Sequence, residues 1–164
     1  MEPTIRPMQA RDVLHCARIM AETPLWQRYN VTMTRAEIYF NDALAEDSAD
    51  LFVITVDDRA VGVVWCVVRG AFDRSGYVRL LMVDGVWRGL GVGGALLDYA
   101  EAYLGAAGAE DVILLVSDFN HAAQRFYRRH GYSQVGALPD YVVQGVSELI
   151  YRKRLDGEEG NKYL

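Results

Sequence analysis

Five glycines fall between Gly85 and Gly94, after an apolar run that ends at Val83 and before a long amphipathic run. A strand ends there, the glycines let the backbone approach a partner closely, and a helix begins. The exposed N–H groups of a helix start, with its partial positive charge, form a phosphate site that needs no particular side chain. Arg88 at the mouth of the loop adds a guanidinium suited to bidentate phosphate contact. Two common phosphate loops compete for this reading. The P-loop is excluded, because no Gly-Lys-Ser/Thr closes the stretch. The dinucleotide pattern G-x-G-x-x-G matches formally at Gly89, Gly91 and Gly94, with Asp118 after the next strand as a ribose ligand. About half the chain precedes the loop with hairpin character, however, and too little follows it for the second half of a doubly wound sheet.

The flanking chain reads as a mixed α/β fold. Thr4 to Pro7 is a short edge strand, since Pro7 cannot donate to a central ladder. Val13, Cys16, Ala17 and Met20 form one stripe of a helix from about Arg11 to Glu22. Thr34 and Glu37 have capping-box spacing, which predicts a helix from Arg35 to about Ala45 that buries Ile38, Ala43 and Leu44. Leu51–Val56 and Val61–Val68 are β-branched runs around a turn at Asp57-Asp58-Arg59-Ala60, and Tyr77–Val83 is a third. Beyond the glycines, Leu96, Leu97, Ala100, Tyr103 and Leu104 mark a buried helix face. Val112 to Val116 reads as a strand buried on both sides. Asn120 opens a last helix closed by Gly131, and strands near Tyr132–Val135 and Glu148–Arg152 complete the fold.

Length and charge narrow the function. At 164 residues with 51% hydrophobic content, the chain is expected to form one domain over residues 1–155, with 156–164 a flexible tail. A net charge of −5 lacks the footprint of a nucleic-acid or anionic-membrane binder. Cys16 and Cys66 sit inside apolar stretches and read as buried free thiols, and the three histidines have no ligand spacing, so no metal is expected. No stretch nears the length of a membrane span. A cytoplasmic protein is the expectation.

Arg88-Gly89-Leu90-Gly91-Val92-Gly93 meets the pattern Arg/Gln-x-x-Gly-x-Gly/Ala, and here the chain resembles the GCN5-related N-acetyltransferase (GNAT) superfamily. "IRPMQARDV" resembles the family's first strand and helix. "YVRLLMVDGVWRGLGVGGALLDYA" resembles its fourth strand, pyrophosphate loop and third helix, and "VSDFNHAAQRFYRRHGYSQVG" its fifth strand and fourth helix. The resemblance implies a mostly antiparallel sheet of six to seven strands with one parallel splayed pair, flanked by about four helices. It implies acetyl-CoA as co-substrate. Backbone N–H groups of Arg88, Gly89, Leu90, Gly91, Val92, Gly93 and Gly94 would hold the pyrophosphate. Leu81, Met82 and Val83 would line the pantetheine edge, where an N–H would polarise the acetyl carbonyl. Asn120 would contact the pantetheine arm, and Tyr127 would lie beside the sulfur and protonate the departing thiolate. The residue chemistry is compatible, since a phenol near pKa 10 can supply a thiolate of pKa about 8.5 at small cost. Without the resemblance, Tyr127 reads as a core aromatic on the helix face with Phe126, and Asn120 as a helix cap.

One part of the resemblance is incomplete. A lysine-like amine costs about 4–5 kcal/mol to deprotonate at pH 7, and the family's glutamate positions correspond here to Arg79 and Leu115. Neither is a base. A water chain to Asp118, Asp73 or bulk, an acceptor of lower pKa, or binding without turnover would each account for this. Strand alternation puts Arg79 on the face of Leu81 and Val83, where a buried arginine would hold a carboxylate. The expected acceptor is therefore a small-molecule amine, amino acid-like, with Trp26, Tyr29 and Tyr141 as further pocket residues. A protein N-terminus or lysine is the alternative acceptor, and a non-catalytic acyl-CoA-binding module the alternative class. Edge strands leave room for a homodimer.

Overall fold

The computed structural model describes residues 2–46 and 50–155; the tail expected at 156–164 lies outside them. The described residues form two compact units: 2–46 and 50–67 with 78–100, and 68–77 with 101–155. The described residues carry seven strands and five α-helices.

In the first unit, β1 (Thr4–Pro7), β2 (Asp50–Val56), β3 (Arg59–Ala71) and β4 (Ser75–Val83) are neighbours in that order. β1 and β2 run antiparallel, with Ile5 opposite Ile54, and β2 and β3 likewise, with Val53 opposite Val63. The β2–β3 turn is tighter than expected: Asp57 and Asp58 form it, both in the left-handed region at φ 51° and 59°, and Arg59 and Ala60 already pair within β3. Such two-residue turns match the twist of the strands they join. A 3-10 turn at Ala10–Asp12 leads into α1 (Val13–Glu22), then α2 (Pro24–Arg28) and α3 (Met33–Ala45). Asp12 is buried and accepts from both terminal nitrogens of Arg6, at 2.7 and 2.8 Å, and from the Gln9 N–H at 2.8 Å.

Two readings of α3 need correction. Thr32, not Thr34, is the N-cap, its hydroxyl accepting from the Arg35 N–H at 3.3 Å. The buried stripe is Ala36, Phe40 and Ala43, whereas Ile38 is 54% exposed and Leu44 half-buried. A stripe drawn through Ile38 misses Phe40, because the two residues between them turn a side chain about 200° around the helix. α2 was not anticipated. Pro24 at its first turn costs no hydrogen bond there, and five residues are too few to show a period.

α4 (Val92–Ala106) seats Leu96, Leu97, Ala100 and Leu104 in the interior, all fully buried, while Tyr103 is half-buried. Each such leucine contributes about 1.5–3 kcal/mol. A Cβ on Gly62 of β3 would come within 2.9 Å of Leu96 Cδ1 and 3.1 Å of the Met82 carbonyl oxygen, so a larger residue there would make its neighbours shift.

In the second unit β5 (Asp111–Ser117), β7 (Ser147–Arg154) and β6 (Ser133–Pro139) lie in the order β5-β7-β6, and both pairings are antiparallel. α5 (His121–Arg129) follows β5 and ends before Gly131, which takes φ +88°. Val112, Leu114 and Val116 are buried, and the alternate Ile113 and Leu115 half-buried. Arg128 lies 5.8 Å from the Tyr151 ring, and Lys153 pairs with Glu101 at 2.7 Å. That face of β7 is therefore the one α5 and the end of α4 cover.

Candidate active site

β4 ends at Val83 and the chain turns sharply through Asp84. Asp84 Oδ1 caps a short 3-10 turn (Gly85–Trp87) by accepting from the Val86 N–H at 3.3 Å. Its other oxygen takes an ion pair from Arg18 at 2.8 Å, and its N–H bonds the Val61 carbonyl at 2.9 Å. The loop is thus fastened to α1 and β3 before the glycines begin. Gly89 and Gly91 adopt φ +75° and +83°, and a Cβ at either would meet nothing. Conformation, not space, demands glycine at both positions. Ala95 N–H makes an α-helical bond to the Gly91 carbonyl at 3.0 Å. The N–H groups of Val92, Gly93 and Gly94 before it are therefore left without intrahelical partners, at the positive end of a 15-residue helix. Leu90 is exposed.

Arg88 differs from its expected role. Its Nε donates to the Val83 carbonyl at 3.1 Å and one terminal nitrogen to Thr23 Oγ1 at 3.1 Å. The guanidinium fork ties the end of β4 to the end of α1 and is not presented whole to an anion. Val83 and Met82 are buried, and Leu81 is half-buried.

Arg79 needs a second correction, since it is exposed, not buried. Its guanidinium lies 4.3 Å over the Trp65 ring, with Tyr39 edge-on to the same ring at 5.5 Å. A cation over an aromatic face is held without giving up its donors. Trp26 and Tyr29 are both half-buried and face each other at 6.2 Å. Trp65 and Tyr39 were missed. Only the two-residue alternation of β3 pointed at Trp65, and Tyr39 sits beside Ile38, the residue wrongly assigned to the buried stripe.

In the second unit, Asn120 caps α5, its Oδ1 accepting from the Ala123 N–H at 3.2 Å, so its amide nitrogen keeps two donors. Gln124 Nε2 donates to the Ser117 and Asp118 carbonyls at 3.3 and 2.9 Å, which welds α5 to the end of β5. Tyr127 is buried, 5.1 Å from Phe126 and 5.6 Å from Tyr132, each edge-on. Burial pushes its phenol above the ordinary tyrosine range, so it is protonated at neutral pH. Tyr141 is exposed in a loop closed by the Gly145 N–H to Asp140 Oδ1 bond of 2.6 Å. The structure brings Arg79 together with Trp65 and Tyr39, and Trp26 with Tyr29.

Cys16 and Cys66 are buried free cysteines, and burial pushes both thiols up to about 12, which denies them thiolate character at neutral pH. Among the described residues no group of three or more His, Cys, Asp or Glu side chains is placed to hold a metal ion. No helix among them is long and apolar enough to cross a membrane.

The sequence matches the family model described as acetyltransferase (GNAT) family over residues 13–132, which takes in the glycine loop, Asn120 and Tyr127. The chain belongs to the GNAT acetyltransferase family. Acetyl-CoA is accordingly its acetyl donor, and the chain is an N-acetyltransferase. Among its relatives, a mycothiol acetyltransferase of Geodermatophilus obscurus is 32% identical over 72% of this chain and 39% of its own length. N-alpha-acetyltransferase 30 of Schizosaccharomyces pombe is 31% identical over 61% of this chain and 68% of its own. The GNAT fold recurs in a solved aminoglycoside 6'-N-acetyltransferase complexed with coenzyme A. Its TM-score is 0.75 at 14% identity, covering 96% of this chain and 99% of that one. The relatives' names differ in acceptor, and the acceptor of this GNAT chain is a separate question.

Proposed function

We propose that residues 1–155 act as one domain that moves acetyl from acetyl-CoA to the primary amine of a small, carboxylate-bearing molecule, in the cytoplasm. The loop amides from Arg88 to Gly94 take the pyrophosphate, and Leu81, Met82 and Val83 line the pantetheine edge. Asn120 donates to the pantetheine arm and Tyr127 gives its proton to the departing sulfur. Burial that makes the phenol a weaker acid also makes a desolvated thiolate a stronger base, so the transfer stays close to balanced. The amine attacks the thioester directly, because neither cysteine has thiolate character.

The observation that supports an acidic acceptor is Arg79, an exposed guanidinium steadied on Trp65. It suits bidentate carboxylate recognition, with Trp26, Tyr29 and Tyr141 as apolar company for the rest of the molecule. The N-alpha-acetyltransferase relative favours a second reading, in which a peptide α-amine is the acceptor. Thiol release from acetyl-CoA across amino acids, their decarboxylated amines and short peptides separates the two. The first reading expects turnover of free amino acids, and an Arg79→Ala KM raised about tenfold or more for them alone. Turnover confined to peptides, with Arg79→Ala silent, favours the second.

A further inference from the structure

An acceptor ammonium must lose a proton before its nitrogen can attack, and Leu115 and the exposed Arg79 cannot take it. The register of the second unit shows what stands next to Leu115. β5 and β7 pair regularly from Asp111↔Arg154 to Ser117↔Glu148, with Leu115 opposite Ile150. Side chains alternate along a strand, so Leu115, Ser117, Ile150 and Glu148 share one face. It is the face away from Tyr151 and Lys153, which α5 and the end of α4 cover. Glu148 and Ser117 are 5% and 7% exposed, and the Ser117 hydroxyl stands 3.4 and 3.3 Å from the two carboxylate oxygens. The diagonal from Glu148 to Leu115 is about 7 Å between backbones, within reach of a glutamate side chain.

Resting on the function proposed above, we propose that Glu148 on β7 is the base that takes the acceptor's proton, oriented by Ser117. The local backbone holds the pair in place. Asp118 N–H bonds the Ser147 carbonyl at 2.9 Å, and the Ser147 N–H bonds Asp118 Oδ2 at 3.0 Å, which fixes the end of β5 against the start of β7. Val112 to Ser117 and all of β6, whose Leu138 is opposite Glu148, contain no ionisable group. Asp118 is the next residue of the chain, and Arg152 on the same face is committed to Asp111 at 2.7 Å.

The proton balance closes. The ammonium gives one proton to Glu148, and the freed lone pair forms the C–N bond at the thioester carbonyl. The C–S pair leaves on sulfur, which takes the Tyr127 phenolic proton. The second nitrogen proton restores the phenol, and Glu148 releases its proton to water. The products are the amide, the CoA thiol and one proton.

The test uses the full chain and an amine that it acetylates. With saturating acetyl-CoA, Glu148→Gln is expected to lower kcat about 100-fold at pH 7 while acetyl-CoA affinity by calorimetry stays within about twofold. Its rate is then expected to rise about tenfold per pH unit, because only amine already neutral in solution reacts. An O-alkyl hydroxylamine acceptor, neutral at pH 7, loses less than about threefold in the same variant, and Glu148→Asp recovers part of the lost rate. These readouts separate a proton acceptor from a merely structural carboxylate. A Glu148→Gln kcat within about threefold of the parent, or an equal loss for both acceptors, overturns the assignment. A parent that binds acetyl-CoA yet acetylates no amine overturns the proposed function along with it.

Discussion

The glycine loop of the first unit and the β5–α5 segment of the second solve opposite problems. The loop works through main chain. Under the proposed function its ligand-facing groups are the N–H donors at a helix start; Leu90 is exposed, and the one strong cation, Arg88, braces β4. The β5–α5 segment works through side chains, with Asn120 and Gln124 fixing the helix and Tyr127 buried on it. A site built from backbone tolerates change in side chains but not in backbone conformation. A site built from side chains has the reverse sensitivity. That contrast sets how each region fails.

The largest effect is expected where a reacting side chain is removed. Tyr127→Phe keeps the edge-on packing against Phe126 and Tyr132 and deletes only the hydroxyl. Steady-state kinetics should show kcat reduced about 100-fold or more, with acetyl-CoA affinity within about twofold. Equal losses in both would break the contrast, since the second unit would then be binding as well as reacting. In the loop the pattern inverts. Gly91→Val forces a β-branched residue to φ +83°, a strain of about 1–3 kcal/mol. Acetyl-CoA affinity should weaken about 10- to 100-fold while kcat at saturation holds, and Leu90→Ala should change neither beyond about twofold.

A smaller effect sharpens the comparison from the scaffold side. Burial would raise the Asp12 carboxyl, but the hydrogen bonds from Arg6 and Gln9 outweigh it and hold it below the ordinary range. A depressed carboxylate stabilises the fold above its unfolded pKa of about 3.9, and the contribution is lost as pH falls through the lower folded value. Thermal melts of Asp12→Asn should therefore lie below the parent by about 2 kcal/mol at pH 7 and converge with it in acid. A constant gap from neutral pH to acid would show that Asp12 acts through packing alone.

How much of this was legible depended on the kind of signal. The glycine loop, the hairpin at Asp57-Asp58 and the Asn120 cap were readable because each is a local backbone requirement written in residue type. The burial of Leu96, Leu97, Ala100 and Leu104 followed from period, because α4 is long enough to show one. α2 and the cap at Thr32 were missed because five residues carry no period and two threonines two apart compete for one role. Arg79 was placed inside by strand alternation, which says which face a side chain takes but not whether anything covers that face. Glu148 carried no local signal at all. Its relevance comes from the pairing of Ser117 with Glu148, 31 residues apart in sequence, which exists only once β5 and β7 have met.

The loop's grip on a diphosphate is the claim on which the rest stands. Calorimetric titration of the full chain with acetyl-CoA, set beside acetyl-pantetheine that carries the same thioester but no diphosphate, tests it directly. Acetyl-CoA should bind with micromolar affinity, and acetyl-pantetheine about 100-fold or more weakly. Equal affinities, or no heat with acetyl-CoA at millimolar concentration, would contradict the account.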